Sequence, residues 1–168
     1  RGSSEFETKI PTADLGTRIS KLPEDFTMEA FTTQETIKMI KEQAKSEKPF
    51  LCWATFYRPH QPYNPLQKYM DMYNVSEWGE GTKKGSGIKI PESFYEPTKN
   101  LPPLLQSQRN GGNKVWNMDK AFKNEQLWRN YIGAYYALVT EIDHCVGEIL
   151  NALEEADLEE ETIVIYTS

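Results

Sequence analysis

Residues 124–156, NEQLWRNYIGAYYALVTEIDHCVGEILNALEEA, decide the fold class of this chain. Apolar side chains recur every three or four positions along this stretch, at Leu127, Tyr131, Ala134, Leu138, Ile142, Cys145, Ile149, Leu153 and Ala156. This period is typical of an α-helix that buries one face. At about 1.5 Å per residue, the stretch predicts a single helix on the order of 50 Å long.

Two short segments without charged residues lie on either side of this helix in the sequence. Residues 50–57, FLCWATFY, are bounded by Pro49 and Pro59, and residues 162–166, TIVIY, follow the helix after an acidic turn. Continuous apolar runs of this length favour strands that are covered on both faces, as in a parallel sheet. A strand, a crossover helix and a second strand predict an α/β fold with a right-handed βαβ unit.

The rest of the chain predicts shorter elements. Thr32 and Glu35 have the spacing of a capping box, which predicts a helix over 33–46. Residues 66–73 favour a short helix. Residues 74–120 contain many glycines and prolines and predict an irregular insertion or lid. The length of 168 residues is typical of a single domain.

The overall composition excludes several classes of protein. The chain has 25 acidic and 19 basic residues and a formal charge of −6, so it lacks the cationic surface that non-specific nucleic-acid binding requires. No apolar run approaches the roughly 20 residues of a membrane span. The two cysteines, Cys52 and Cys145, lie far apart within apolar patterns. They argue against a disulfide scaffold or a cysteine-based zinc site and favour buried free thiols.

Candidate site residues follow the two predicted strands. Arg58, Pro59 and His60 come after the first strand, and Thr167 and Ser168 come after the second. Because sites in open α/β sheets form beyond the carboxyl ends of the strands, we expect both groups at one edge of the sheet. A fixed imidazole beside Arg58 could bind an anion or protonate a leaving group. The alternative is that His60 is a loop histidine without a chemical task.

Polar residues of the long helix are interpreted as structural. His144 is expected to pack or to cap rather than to bind a metal ion. Glu141 and Asp143 are not expected to form a carboxylate pair, because residues two positions apart do not face each other on a helix. A solvated or structural role is predicted for both.

Two segments of the chain resemble sulfatases of the alkaline-phosphatase superfamily. Residues 48–63, KPFLCWATFYRPHQPY, are similar to the KPFFL…PHxPY segment of that family. Residues 135–150, YYALVTEIDHCVGEIL, are similar to a sulfatase helix, and residues 161–168, ETIVIYTS, to the strand after it. The resemblance covers about 33–73 and 124–168, and it implies a partial alkaline-phosphatase-like (sulfatase) fold.

The resemblance assigns an active-site role to one residue of this chain. His60 matches the family histidine that contacts the sulfate group, and Arg58 beside it is the second candidate for binding substrate. The family nucleophile is a Cys or Ser followed by x-Pro-x-Arg and converted to formylglycine, and this motif has no match here. The paired aspartates that bind the divalent cation also have no match, since no Asp-Asp occurs in the sequence.

These differences predict that residues 1–168 form a single incomplete α/β domain, an internal segment of a sulfatase catalytic domain. The metal-binding residue after the last strand would follow Ser168. We therefore expect the complete enzyme to use calcium, and this chain alone to bind no metal ion and to be inactive.

The predicted function of the complete enzyme is hydrolysis of a small-molecule or carbohydrate sulfate ester. One alternative is a phosphonate or phosphodiester hydrolase of the same superfamily. Another is a non-catalytic truncated module, whose exposed sheet edges pair with the remaining sulfatase segments or with a second copy of the chain. The resemblance implies a secreted, periplasmic or lysosomal location, although residues 1–6 carry no signal-peptide core.

Overall fold

The computed structural model describes residues 18–75, 87–112 and 123–167. The α-helices in these ranges are α1 (Met28–Gln43), α2 (Gln67–Met72), α3 (Pro103–Ser107) and α4 (Glu125–Glu155). Single 3₁₀ turns cover Glu24–Phe26, Glu92–Tyr95 and Thr98–Asn100, and a π-helical turn covers Gln108–Gly112. None of the helices described has the combination of length and apolarity needed to cross a membrane.

α4 confirms the long helix that the apolar period predicts. Its first turn is capped by the side-chain oxygen of Asn124, which accepts the N–H groups of Gln126 and Leu127 at 2.9 and 3.2 Å. At the other end, Asp157 adopts a left-handed conformation with φ 54°. The N–H of the next residue, Leu158, reaches back 3.0 Å to the carbonyl of Leu153, which closes the helix end.

α2 confirms the short helix predicted over 66–73, whereas the predicted start of α1 is wrong. α1 begins at Met28 and not at residue 33, because Thr27 is the residue that caps it. The Thr27 hydroxyl accepts the N–H of Ala30 at 3.1 Å. Thr32 lies inside the helix, so the capping box predicted from Thr32 and Glu35 is not formed.

The two predicted strands are not present among the described residues, and their expected burial is wrong. Leu51 is 92% exposed and Ile163 is 90% exposed. A strand needs backbone partners on a neighbouring strand and cover for its apolar faces. No ladder involves 50–57 or 162–166 in the part of the chain that is described. The βαβ unit is therefore not confirmed.

The chain divides into two compact units. The first comprises Arg1–Leu22 and Pro59–Val139, and the second comprises Pro23–Arg58 and Thr140–Ser168. α4 contributes residues to each of them. The prediction of one incomplete domain over 1–168 stays a prediction.

The core of the first unit forms between α2 and the N-terminal half of α4. Its buried residues are Leu66, Tyr69, Met70, Val75, Ile88, Ala134 and Ala137. An isolated parallel bridge joins Ser20 to Leu66, and the N–H of Arg18 donates to the carbonyl of Tyr63 at 3.0 Å. These contacts anchor the segment that follows His60 to a packed core.

Gly133 allows a close approach of Val75 and Ile88 to α4 within this core. A Cβ atom at this position would overlap the Val75 side chain and would lie 2.6 Å from Cδ1 of Ile88. We expect Gly133→Ala to lower the free energy of unfolding by about 1–3 kcal/mol, the usual cost of overpacking. Urea unfolding measures this change.

Gly147→Ala on the same helix is the matched control. A Cβ there meets nothing within 4 Å, so the better helix propensity of alanine acts alone. We expect Gly147→Ala to stabilise the chain by about 0.5–1 kcal/mol. Equal effects of the two substitutions would contradict the packing described for Gly133.

The second unit is built from α1 and the C-terminal half of α4. Its buried apolar side chains include Ile40, Ile142, Cys145 and Leu153. Cys145 is a buried free thiol, as predicted, and burial raises its pKa. Cys52 is also free but is exposed, so the prediction of a buried thiol at this position is wrong.

Residues 87–112, which are most of the described part of the predicted insertion, contain several short helical turns. Two of their hydrogen bonds join residues of the first unit. Arg109 donates to the carbonyl of Phe94 at 2.7 Å, and the Tyr95 hydroxyl donates to Glu125 at 2.8 Å. Residues 76–86 and 113–122 lie outside the described residues, and the assignment of 74–120 as a lid stays a prediction.

Candidate functional site

His60 is an exposed residue in the proline-rich segment that follows residue 57. Its Nδ1 atom lies 2.8 Å from the carbonyl oxygen of Gln61. Because a carbonyl oxygen can only accept, Nδ1 carries the hydrogen in this contact. Nε2 is then the ring nitrogen that accepts a hydrogen bond when the ring is neutral and donates one when the ring is charged.

The chain around His60 is constrained by its prolines and by aromatic packing. The Gln61–Pro62 peptide bond is cis, and the N–H of Asn64 donates to the carbonyl of Pro62 at 3.0 Å. Tyr63 then packs edge-on against two tyrosines of α4, Tyr131 at 5.6 Å and Tyr135 at 6.3 Å between ring centroids. Three residues after the imidazole, the segment is thus held on α4 within the first unit.

Arg58 is a largely buried residue of the second unit, and its side chain is 10% exposed. Its Nε atom lies 3.2 Å from Oε2 of Glu29, on α1. Its Nη1 atom donates to Oε2 of Glu141, on α4. We call these three residues the Glu29–Arg58–Glu141 cluster. In the structure, the Arg58 guanidinium forms ion pairs with both carboxylates. The prediction that Arg58 binds a substrate anion stays a prediction.

The electrostatics of the cluster are set by burial. The side chains of Glu29 and Glu141 are 4% and 3% exposed. Loss of solvent raises the pKa of Glu141 to about 7, although the Arg58 guanidinium opposes the shift. The nearby carboxylates of Glu29 and Glu24 add to the increase in this pKa. Glu141 therefore retains its proton to a higher pH than an exposed glutamate does.

Sequence reasoning predicted a solvated or structural role for Glu141 but did not find its partners. The signal was present, because Glu141 lies three residues after Leu138 and four before Cys145, on the apolar face of α4. A carboxylate on a buried face needs a cation nearby. His144, by contrast, is half exposed, and its Nε2 atom lies 3.8 Å from Oε1 of Glu148.

The structure does not bring the predicted site residues together in one compact unit among the residues that it describes. His60 belongs to the first unit and Arg58 to the second. Ser168 lies outside the described residues, so the expected proximity of His60 and Ser168 stays a prediction. Among the residues described, no group of three or more His, Cys, Asp or Glu side chains could hold a metal ion.

The chain is similar to known proteins over nearly its whole length. A family model described as Sulfatase matches residues 3–168. The chain is 28% identical over 138 residues to an arylsulfatase of Clostridium perfringens, and this match covers 82% of the chain and 25% of the relative. It is 32% identical over 133 residues to arylsulfatase K of Canis lupus familiaris, covering 76% of the chain and 23% of the relative.

A third relative carries a broader name. The chain is 25% identical over 165 residues to the multifunctional alkaline phosphatase superfamily protein PehA of Trinickia caryophylli, covering 98% of the chain and 30% of the relative. The chain thus spans between 23% and 30% of the length of these three relatives.

Proposed function

The chain belongs to the sulfatase family, and from this membership we propose that the complete protein hydrolyses sulfate esters. The match of the family across residues 3–168 carries the proposal, and two of the relatives are named as arylsulfatases. Hydrolysis breaks the bond between sulfur and the ester oxygen, adds water and returns a proton to the leaving alkoxide.

His60 is the residue of this chain that we assign to the reaction. Nδ1 contacts the carbonyl oxygen of Gln61, and we assign the chemistry toward a substrate to Nε2. In the charged ring, Nε2–H can donate a hydrogen bond to a sulfate oxygen or a proton to the leaving group. The exposure of His60 supports this role, because a substrate has to reach the imidazole.

We propose that residues outside this chain supply the nucleophile and the calcium ligands of the reaction. Neither Cys52 nor Cys145 is followed by the x-Pro-x-Arg motif that precedes formylglycine formation in the family. The described residues also do not fit a calcium site, since no group of three or more ligating side chains occurs among them. We therefore assign the formylglycine nucleophile and the calcium ligands to other segments of the complete enzyme and propose that this chain alone is inactive.

We also propose that residues 50–57 and 162–166 become parallel strands when the remaining segments of the domain are present. Both segments belong to the second unit, carry no charged residue and expose large apolar side chains, among them Trp53 and Ile165. Such segments gain free energy when neighbouring strands pair with their backbone and helices cover their faces.

The proposed substrate is a small-molecule or carbohydrate sulfate ester, and the proposed location is secreted, periplasmic or lysosomal, as family membership suggests. Residues 74–120 are the proposed lid that distinguishes one ester from another. Short helical turns and exposed aromatic and apolar side chains, such as Tyr95 and Leu104, support a surface role for the described part of this region.

A second candidate function is phosphonate or phosphodiester hydrolysis. The similarity to a protein named for the alkaline phosphatase superfamily, across 98% of the chain, favours this alternative. A third candidate is a non-catalytic module that pairs through residues 50–57 and 162–166 with another polypeptide, which their exposure would allow.

An activity assay of the complete protein separates the three candidates. The assay would compare an aryl sulfate and a sugar sulfate with a phosphodiester and a phosphonate ester of the same leaving group. We expect sulfate release to be the fastest reaction. Faster cleavage of a phosphorus ester would favour the second candidate, and hydrolysis of none of the esters would favour the third.

A further inference from the structure

The Glu29–Arg58–Glu141 cluster carries an unbalanced charge. Two carboxylates share one guanidinium, so the cluster has a net charge of −1 when all three groups are ionised. All three side chains are nearly withdrawn from solvent. Burying a net charge is strongly unfavourable, and one proton on a carboxylate would remove it.

Glu141 is the carboxylate on which this proton is best placed. Its Oε2 atom accepts from Arg58, but its Oε1 atom is buried and has no hydrogen-bond partner among the described residues. An ionised carboxylate needs several donors, whereas a protonated one loses less when an oxygen remains without a partner.

The titratable groups around Glu141 come from three parts of the second unit. Glu29 on α1 and Glu24 before it add negative charge, Arg58 adds positive charge, and Cys145 lies one turn further along α4. With Arg58 already shared by two carboxylates, the surroundings of Glu141 favour its neutral form.

We propose that the Glu29–Arg58–Glu141 cluster is a pH-sensitive switch that holds α1 and the C-terminal half of α4 together while Glu141 is protonated and loosens them when the proton is lost. The switch does not depend on the proposed catalytic reaction. It would make the second unit most stable in acidic solution.

The direction of this effect follows from the pKa of Glu141. The pKa rises from 4.5 to about 7 in the folded chain, mainly because of burial. A group that binds its proton more tightly when folded contributes fully to stability below its unfolded pKa and loses that contribution as pH rises through the folded value. The folding equilibrium should therefore weaken by roughly a hundredfold between about pH 4.5 and about pH 8.

Urea unfolding of the chain at a series of pH values tests the switch. Wild-type chain is compared with Glu141→Gln, which mimics the protonated carboxyl, and with Glu154→Gln, an exposed residue of the same helix. We expect wild type and Glu154→Gln to lose stability in parallel as pH rises. Glu141→Gln should lack this loss and be more stable than wild type at about pH 8.

Two results would overturn the proposal. One is a Glu141→Gln profile that keeps the wild-type slope across this range of pH. The other comes from a carboxyl carbon NMR titration of wild type, which remains decisive if the variant fails to fold. A Glu141 carboxyl that is already ionised at about pH 5 would exclude the switch.

Discussion

Replacing His60 with alanine in the complete enzyme is expected to lower turnover by about 10² or more, the usual contribution of a general acid or base. The proposed reaction leaves a developing negative charge on the ester oxygen, and we assign protonation of that oxygen to Nε2 of His60. Steady-state kinetics with an aryl sulfate measures the change in kcat. A poorly basic leaving group, which needs less protonation, should reduce the loss.

His144→Ala is the matched control for this substitution. His144 is also an exposed histidine, and it contacts Glu148 on its own helix. We expect His144→Ala to leave turnover within about twofold of wild type, since general acid–base effects require a group within hydrogen-bond reach of the substrate. Unchanged kinetics in His60→Ala would remove His60 from the proposed mechanism.

Replacing Arg58 with methionine is expected to lower the free energy of unfolding by about 3–5 kcal/mol, the range measured when one partner of a buried ion pair is removed. Methionine keeps much of the volume but leaves Glu29 and Glu141 buried without their cation. Urea unfolding at neutral pH measures the loss. Part of the stability should return in acid, where Glu141 takes up a proton.

Lys41→Met provides the matched control for Arg58→Met. Lys41 pairs with Glu155 at 3.6 Å, but both side chains are more than half exposed. Exposed pairs contribute about 0–1 kcal/mol, so this variant should be nearly as stable as wild type. If Arg58→Met costs no more than Lys41→Met, the cluster does not hold the second unit together.

The long helix shows what sequence periodicity predicts well. A repeat of three to four residues over 124–156 depends only on which face of one element is buried. α4 accordingly covers Glu125–Glu155, within one residue of the predicted ends. The family resemblance can also be detected from the sequence alone, because residues 48–63 and 135–150 are continuous motifs.

The start of α1 shows where such reasoning fails. Thr27 and Thr32 are both chemically suited to cap a helix, and only Thr32 has a glutamate three residues later. The structure selects Thr27. The residues between them include Met28 and Phe31, which are apolar yet exposed in the structure, so they do not follow the inward period used for the prediction.

Sequence alone determined the family, the helical stretch over 124–156 and the choice of His60 as a candidate site residue. Each of these depends on a pattern or motif formed by residues that are close together in the chain. Tertiary structure decided that Arg58 lies between Glu29 and Glu141, that Cys52 is exposed and that residues 50–57 and 162–166 are not strands among the described residues. These outcomes depend on partners far away in the chain. Burial and strand pairing are properties of two surfaces in contact, and a local pattern specifies only one of them.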